Sequence, residues 1–220
     1  RADTDAARDS WDPDHYHRFR AERRRPYDDL VRLLRPVAGG SLVDLGCGTG
    51  ELTADAAVAL GASRALGIDA SAAMLERAAE VSSPDVAISF QMGDIAAFGT
   101  STHDGRWDVV MANAALQWVP RHVEVLAQWR STLNPAGQLA VQVPANVDHR
   151  SHTTITEVLG EAEFAEYAAD VPDDPVHSVL DPAHYAALRR DRPTSKARVT
   201  DAFLARFPDH GWFVEAVVAT

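Results

Sequence analysis

The sequence predicts an α/β fold with a doubly wound, mostly parallel sheet and helices on both faces. An N-terminal helical lid and a small C-terminal helical cap complete the expected architecture. Three observations lead there. Short runs that are apolar nearly throughout, such as SLVDL at 41–45 and WDVVMA at 107–112, alternate with helical stretches; this is the pattern of strands buried on both faces in βαβ units. A glycine-rich turn, GCGTG at 46–50, joins the first run to its helix. The 220 residues are 46% hydrophobic and 24% charged, enough apolar material for a layered core and too much for a disordered chain.

The elements follow in order. Residues 14–25 predict a polar helix begun by Asp12-Pro13, with Tyr16, Phe19 and Arg23 on one face. Pro26 predicts the start of a second helix carrying Leu30, Leu33 and Leu34, ended by Pro36 and Gly39-Gly40. Strands are expected at 41–45, 64–68, 86–91, 107–112 and 138–143. Helices are expected at 51–60, 71–81 and 121–133, the last stopped by Asn134-Pro135. Right-handed crossovers place them on both faces of the sheet. Beyond Pro144 the pattern predicts helices at 153–169 and 200–207, an acidic loop at 171–182 and a terminal strand at 212–219. The expected division is a lid over 1–36, a cofactor-binding core over 37–150, and a substrate-side cap over 151–220 whose terminal strand returns to the sheet.

Charge and cysteine usage narrow the function. The chain has 21 Lys+Arg and 32 Asp+Glu, a formal charge of −11, which argues against a general nucleic-acid binder. Residues 1–35 nevertheless hold nine Arg against eight Asp+Glu, so an arginine-rich, near-neutral segment precedes an acidic body. No run of eighteen apolar residues suggests a membrane span. The polar start, Arg1 to Arg8, has no leader-like apolar core, and a single cysteine, Cys47, forms no internal disulfide. A cytoplasmic location and a monomer are expected.

The segment Asp44 to Gly50 carries the most information. Gly46, Gly48 and Gly50 alternate where a strand turns into a helix, which permits positive φ and a close approach of ligand to backbone. A dinucleotide fingerprint needs its third glycine at 51. That residue is Glu51, which would repel a phosphate. The spacing D-x-G-x-G-x-G instead suits a ligand without phosphate, whose sugar and amino-acid tail cross the glycines. Asp69 ends the second strand, where a carboxylate can take both ribose hydroxyls; it can also cap the next helix, for which Ser71 is the better candidate. Asp94 follows the third strand, where it can meet an adenine amino group or serve only a turn. Asn113 follows the fourth.

These residues resemble the class I methyltransferases dependent on S-adenosylmethionine (SAM), whose core is Rossmann-like. The closer resemblance is to the trans-aconitate methyltransferase family. It rests on WDPDHYHRFRAERRRP at 11–26, VDLGCGTGELT at 43–53, GIDASAAMLERA at 67–78, ANAALQWVP at 112–120 and LAVQVPANVDHRSH at 139–152. The resemblance implies that Asp44, Gly46, Gly48, Gly50, Asp69, Ala70, Met74, Asp94, Ile95 and Asn113 bind SAM. It folds the N-terminal segment over the cofactor, with Arg23 or Arg25 on the methionine carboxylate and Arg24 in solvent. Gln117 and Trp118, with Tyr16, would position donor and acceptor. Trp11, Asn146, His149 and Arg150 would join them around the acceptor, a small-molecule carboxylic acid. No metal is expected, because His149 and His152 lack accompanying ligands.

A carboxylate acceptor has a pKa of about 4 and is ionised at pH 7, so no general base is needed. Two alternatives stand beside it. One is a hydroxyl, amine or carbon acceptor, with His149 or His122 as base. The other is a SAM-binding regulatory module without catalysis.

Overall fold

The structure is a computed structural model of the chain. It describes residues 20–101, 104–144, 154, 157–158, 160–161, 179–180, 184–185, 197–198 and 212–218. The predicted helices at 153–169 and 200–207 and the acidic loop at 171–182 lie largely or wholly outside these residues.

The chain enters as α1 (Arg20–Leu33). It then alternates through β1 (Ser41–Leu45), α2 (Glu51–Leu60), β2 (Arg64–Asp69), α3 (Ala72–Ala78), β3 (Ala87–Met92) and β4 (Trp107–Asn113). A 3₁₀ turn (Leu116–Trp118) leads to α4 (His122–Ser131) and β5 (Leu133–Pro144). Two further strands, β6 (Ala197–Arg198) and β7 (Trp212–Val218), complete one sheet of order β3-β2-β1-β4-β5-β7-β6. Strands β1 to β5 pair in parallel, while β7 runs antiparallel to both β5 and β6. The doubly wound expectation is met, and the terminal strand returns to the core.

Alternate residues along each strand feed two separate cores. Leu42, Val109, Met111 and Ala140 face α1 and α2, where they meet Tyr27, Leu30, Leu34, Ala56, Ala57 and Leu60. Val43, Leu45, Val110, Ala112, Leu139 and Val141 face the other way, against Val125 and Trp129 of α4. Every residue of β1 is buried, as a central strand between two helical layers requires.

Three local expectations change. The two predicted N-terminal helices meet as one, because α1 passes straight through Pro26, which is buried inside it. Proline forfeits one helix hydrogen bond. Packing of Tyr27 and Leu30 into the core on its C-terminal side outweighs that loss. Strand β5 begins at Leu133 and not at 138, since Leu133 pairs with Trp107 across an irregularity in the ladder. The polar stretch before residue 199 contributes β6, a two-residue edge strand without apolar pattern.

Helix α1 is fixed at its exit by Gln138. The Arg35 N–H donates to Gln138 Oε1 at 2.8 Å, and Gln138 Nε2 donates to the Arg35 carbonyl at 2.9 Å. Near its middle, Arg24 pairs with Asp55 of α2 at 2.8 Å and with Asp28 at 3.6 Å. At the far end of the sheet Asp108 accepts from the Ser41 N–H and hydroxyl and from Asn134 Nδ2, tying β1, β4 and β5. Burial alone would raise its pKa, but the bonds from Asn134 and Ser41 hold it below the usual carboxylate value.

The entry to α2 is tightly packed. Gly50 has φ +76°, and a Cβ there would lie 2.5 Å from Phe90 Cζ. Gly50→Ala is expected to lose ~2 kcal/mol or more, from the left-handed backbone and the displaced ring together, measured as a lower urea midpoint at unchanged slope.

Candidate cofactor and acceptor site

Strand order reverses about β1: the chain builds β2 and β3 on one side of it and β4 and β5 on the other. The crevice outside the carboxyl ends of β1 and β4 is therefore the switch point where open sheets bind ligands. The glycine loop, Asp69, Asp94, Asn113 and the 3₁₀ turn all follow strands at this edge.

The loop is held by main-chain bonds. The N–H groups of Gly46 and Cys47 donate to the Ile68 carbonyl at 2.7 and 3.1 Å, and the Gly48 N–H donates to Asp69 Oδ2 at 2.8 Å. All three glycines have positive φ. Their surroundings differ. A Cβ on Gly46 would lie 2.3 Å from Ala115 Cβ, and one on Gly50 would strike Phe90, so packing requires both glycines. A Cβ on Gly48 would meet nothing within 4 Å. Gly48 is the place where this loop opens a cradle.

Asp69 uses one oxygen for the Gly48 N–H and the other for the Ser71 N–H at 2.9 Å. Ser71 is the true N-cap of α3, accepting from the Met74 N–H at 3.3 Å. A carboxylate accepts about four bonds, so Asp69, only half-buried, keeps capacity for a ligand's hydroxyls. Ala70 beside it is exposed and Met74 is buried. Asp94 is exposed and forms a turn by accepting from the Ala96 N–H at 2.9 Å, while the carbonyl of half-buried Ile95 accepts from Trp129 Nε1.

Asp44 lies within β1, not in the loop. It is buried, and the Thr53 hydroxyl in the first turn of α2 donates to its Oδ2 at 2.6 Å. Burial pushes its carboxyl up to about 6, against the Thr53 bond, with Asp69 adding to the rise. Thr53 was not singled out from sequence; its one signal is a hydroxyl among the alanines of ELTADAAVAL.

Beyond β4 the backbone is strained: Ala114 has φ +52°. Its N–H donates to the Gln142 carbonyl at 3.0 Å, and its carbonyl accepts from Gln117 Nε2 at 2.7 Å. Among the described residues Gln117 Oε1 and Asn113 Oδ1 are buried without partners. Trp118 is 52% exposed, a large indole at the mouth of the crevice. His122, the alternative base, is buried with Nδ1 hydrogen-bonded to the Tyr185 hydroxyl, and burial lowers its pKa. Arg25 is exposed, and Arg24, expected in solvent, is only partly so because it pairs with Asp55 of α2. Trp11, Tyr16, Asn146, His149 and Arg150, and the side chain of Arg23, lie outside the described residues.

An open Gly48, a strand-end carboxylate with spare lone pairs and buried unpaired amide oxygens suit a nucleoside carrying an amino-acid tail. Comparison with known proteins agrees. Residues 37–179 match a methyltransferase domain family. A trans-aconitate 2-methyltransferase of Deinococcus radiodurans is 41% identical over 184 residues, 81% of this chain and 67% of that protein. One from Streptomyces avermitilis is 37% identical over 187 residues, 82% of this chain and 67% of that protein. The chain thus spans about two thirds of these relatives' length. The magnesium protoporphyrin IX methyltransferase of Synechocystis PCC 6803, solved with bound S-adenosylhomocysteine (SAH), shares the fold at a TM-score of 0.60 and 20% identity, over 92% of this chain and 85% of that one. The chain belongs to the SAM-dependent methyltransferases.

Asp44 makes a testable mark on stability. Its folded pKa lies above the unfolded value, so the stability it allows is complete below about pH 4 and falls as pH rises to about 6. Asp44→Asn, which still accepts from Thr53, is expected to be more stable than wild type at pH 7 and equal to it near pH 4, read from denaturant unfolding across that range.

Proposed function

We propose that this chain transfers the methyl group of SAM to a carboxylate oxygen of a small polycarboxylate, with trans-aconitate as the favoured acceptor. The observation that carries the proposal is the similarity to trans-aconitate 2-methyltransferases of 41% and 37% identity over about four fifths of the chain. The side chains at the ends of β4 and β5 suit it, because Asn113, Gln117 and Gln142 are neutral amides. An ionised carboxylate needs orientation and shelter from water more than a base.

SAM supplies an activated methyl group on a cationic sulfur. An oxygen lone pair of the acceptor forms the new C–O bond as the S–C bond breaks, and that bond's electron pair stays on sulfur. The reacting carboxylate and the sulfonium both lose their charge, becoming an ester group and a thioether, so excluding water from these two groups favours the change. In this reading Gly46, Gly48 and Gly50 carry the amino-acid tail, Asp69 takes the ribose hydroxyls, and Asp94 with Ile95 flanks the base. Arg23 or Arg25 meets the methionine carboxylate. Gln117, Trp118 and Tyr16 align the reacting groups. The lid and cap division, a monomeric state and a cytoplasmic location belong to the same proposal. Among the described residues no helix is long and apolar enough to cross a membrane. For an acceptor that must lose a proton, His122 is a poor base, being enclosed and bonded to Tyr185, while His149 lies outside the described residues.

Incubation with SAM and trans-aconitate is expected to give SAH and a base-labile monomethyl ester, detected by mass spectrometry. Failure with every related di- and tricarboxylate would reject the acceptor class. Asp69→Ala is expected to weaken SAH binding about tenfold or more in calorimetry, from lost charge-assisted bonds to the ribose and a looser Gly48 turn.

A further inference from the structure

Gln138 and Gln142 stand four residues apart on β5, on the same face of the sheet, and both are buried. Gln138 is fully used: its oxygen accepts from the Arg35 N–H and its NH₂ donates to the Arg35 carbonyl. Among the described residues Gln142 has no partner for either amide atom. A buried amide with neither function answered is a standing cost that an apolar side chain of the same volume would not carry. The contrast within one strand asks for a ligand at Gln142.

The position indicates which ligand. Gln142 is the register partner of Asn113, the last residue of β4, whose Oδ1 is also buried and unpaired. Its own carbonyl holds the strained Ala114. It therefore sits at the carboxyl edge of the sheet, on the β4–β5 side of the switch point. The glycine loop, Asp69 and Asp94 follow β1, β2 and β3 on the opposite side. A group that reaches Gln142 belongs to the acceptor and not to the adenosyl half of the donor.

We propose that Gln142 is an acceptor-binding residue whose Nε2 donates a hydrogen bond to a carboxylate oxygen of the substrate. The inference rests on the carboxyl-acceptor reading above. The donor sets the chemistry, because an unpaired N–H tolerates burial less well than a carbonyl with spare lone pairs, and a carboxylate oxygen is its strongest partner. A neutral amide orients a carboxylate without quenching the charge that makes its oxygen nucleophilic, which an arginine at this point would do.

Gln142→Met removes both amide functions at similar volume. The full chain and the variant are compared by thermal unfolding, by calorimetric titration with SAH, and by steady-state kinetics with trans-aconitate. The expected result is a Tm equal to or above wild type, SAH affinity within about twofold, and an acceptor KM raised about tenfold or more. A folded variant with unchanged acceptor KM overturns the proposal, and so does a lower Tm accompanied by lost SAH binding, which would make Gln142 a structural residue. Should Gln142→Met fail to fold, Gln142→Glu keeps the shape and sets a carboxylate against the acceptor. Its acceptor KM is expected to rise at least as far, and an unchanged value again overturns the proposal. A wild-type chain inert toward all polycarboxylates rejects the acceptor class and this inference with it, whereas an active wild type with an indifferent variant rejects this inference alone.

Discussion

The turn from β1 into α2 leaves no room for a Cβ at two of its three glycines. Gly46 lies against Ala115 and Gly50 against Phe90, so the loop is wedged between the segment after β4 and the side chains of β3. The N–H groups of Gly46 and Cys47 are spent on the Ile68 carbonyl and that of Gly48 on Asp69. This wedge fixes the height of the loop over the sheet, the start of α2 and the position of Asp69 together. Only Gly48 faces open space. That open space sits between two glycines locked by packing against the segment after β4 and against β3.

Polar groups inside the sheet divide into those that build and those that wait. Asp108 and Gln138 build: each satisfies several donors or acceptors and ties elements that are far apart in the chain. Asp44 is intermediate, with Thr53 on one oxygen and a pKa raised by its enclosure. Asn113, Gln117 and Gln142 keep unpaired atoms at the carboxyl edge of β4 and β5. The same energetic rule that demands partners for the first group leaves the second with unused capacity for hydrogen bonds. Strain at Ala114, between Asn113 and the 3₁₀ turn, lies in the same place.

Much of this was legible in the residues. The alternation of apolar runs with helical stretches placed the five parallel strands, because each run had to be buried on both faces. The glycine spacing and Glu51 pointed away from a phosphate ligand, and the resemblance carried by the motifs pointed to SAM, in agreement with the family to which the chain belongs. Ser71 was recognisable as the cap of α3 from its position after GIDA. Proline punctuation misled at Pro26, where core packing by Tyr27 and Leu30 carries one helix across the break. The edge strand β6 was invisible, since two residues paired only with β7 need no periodicity of their own.

Local sequence therefore determined the strands and the turn chemistry, because period, glycine placement and charge act over a few neighbours along the chain, and its motifs carried the resemblance that named the cofactor. It did not determine which polar residues are consumed by the fold. Gln138 and Gln142 look alike in QLAVQV, and only the arrival of Arg35, 103 residues away in sequence, satisfies one and leaves the other bare. Thr53 and Asp44 are likewise joined only when α2 folds back over β1. Tertiary structure decided these matters, since a hydrogen-bond partner is a neighbour in space, and the chain's own order says little about which neighbours those will be.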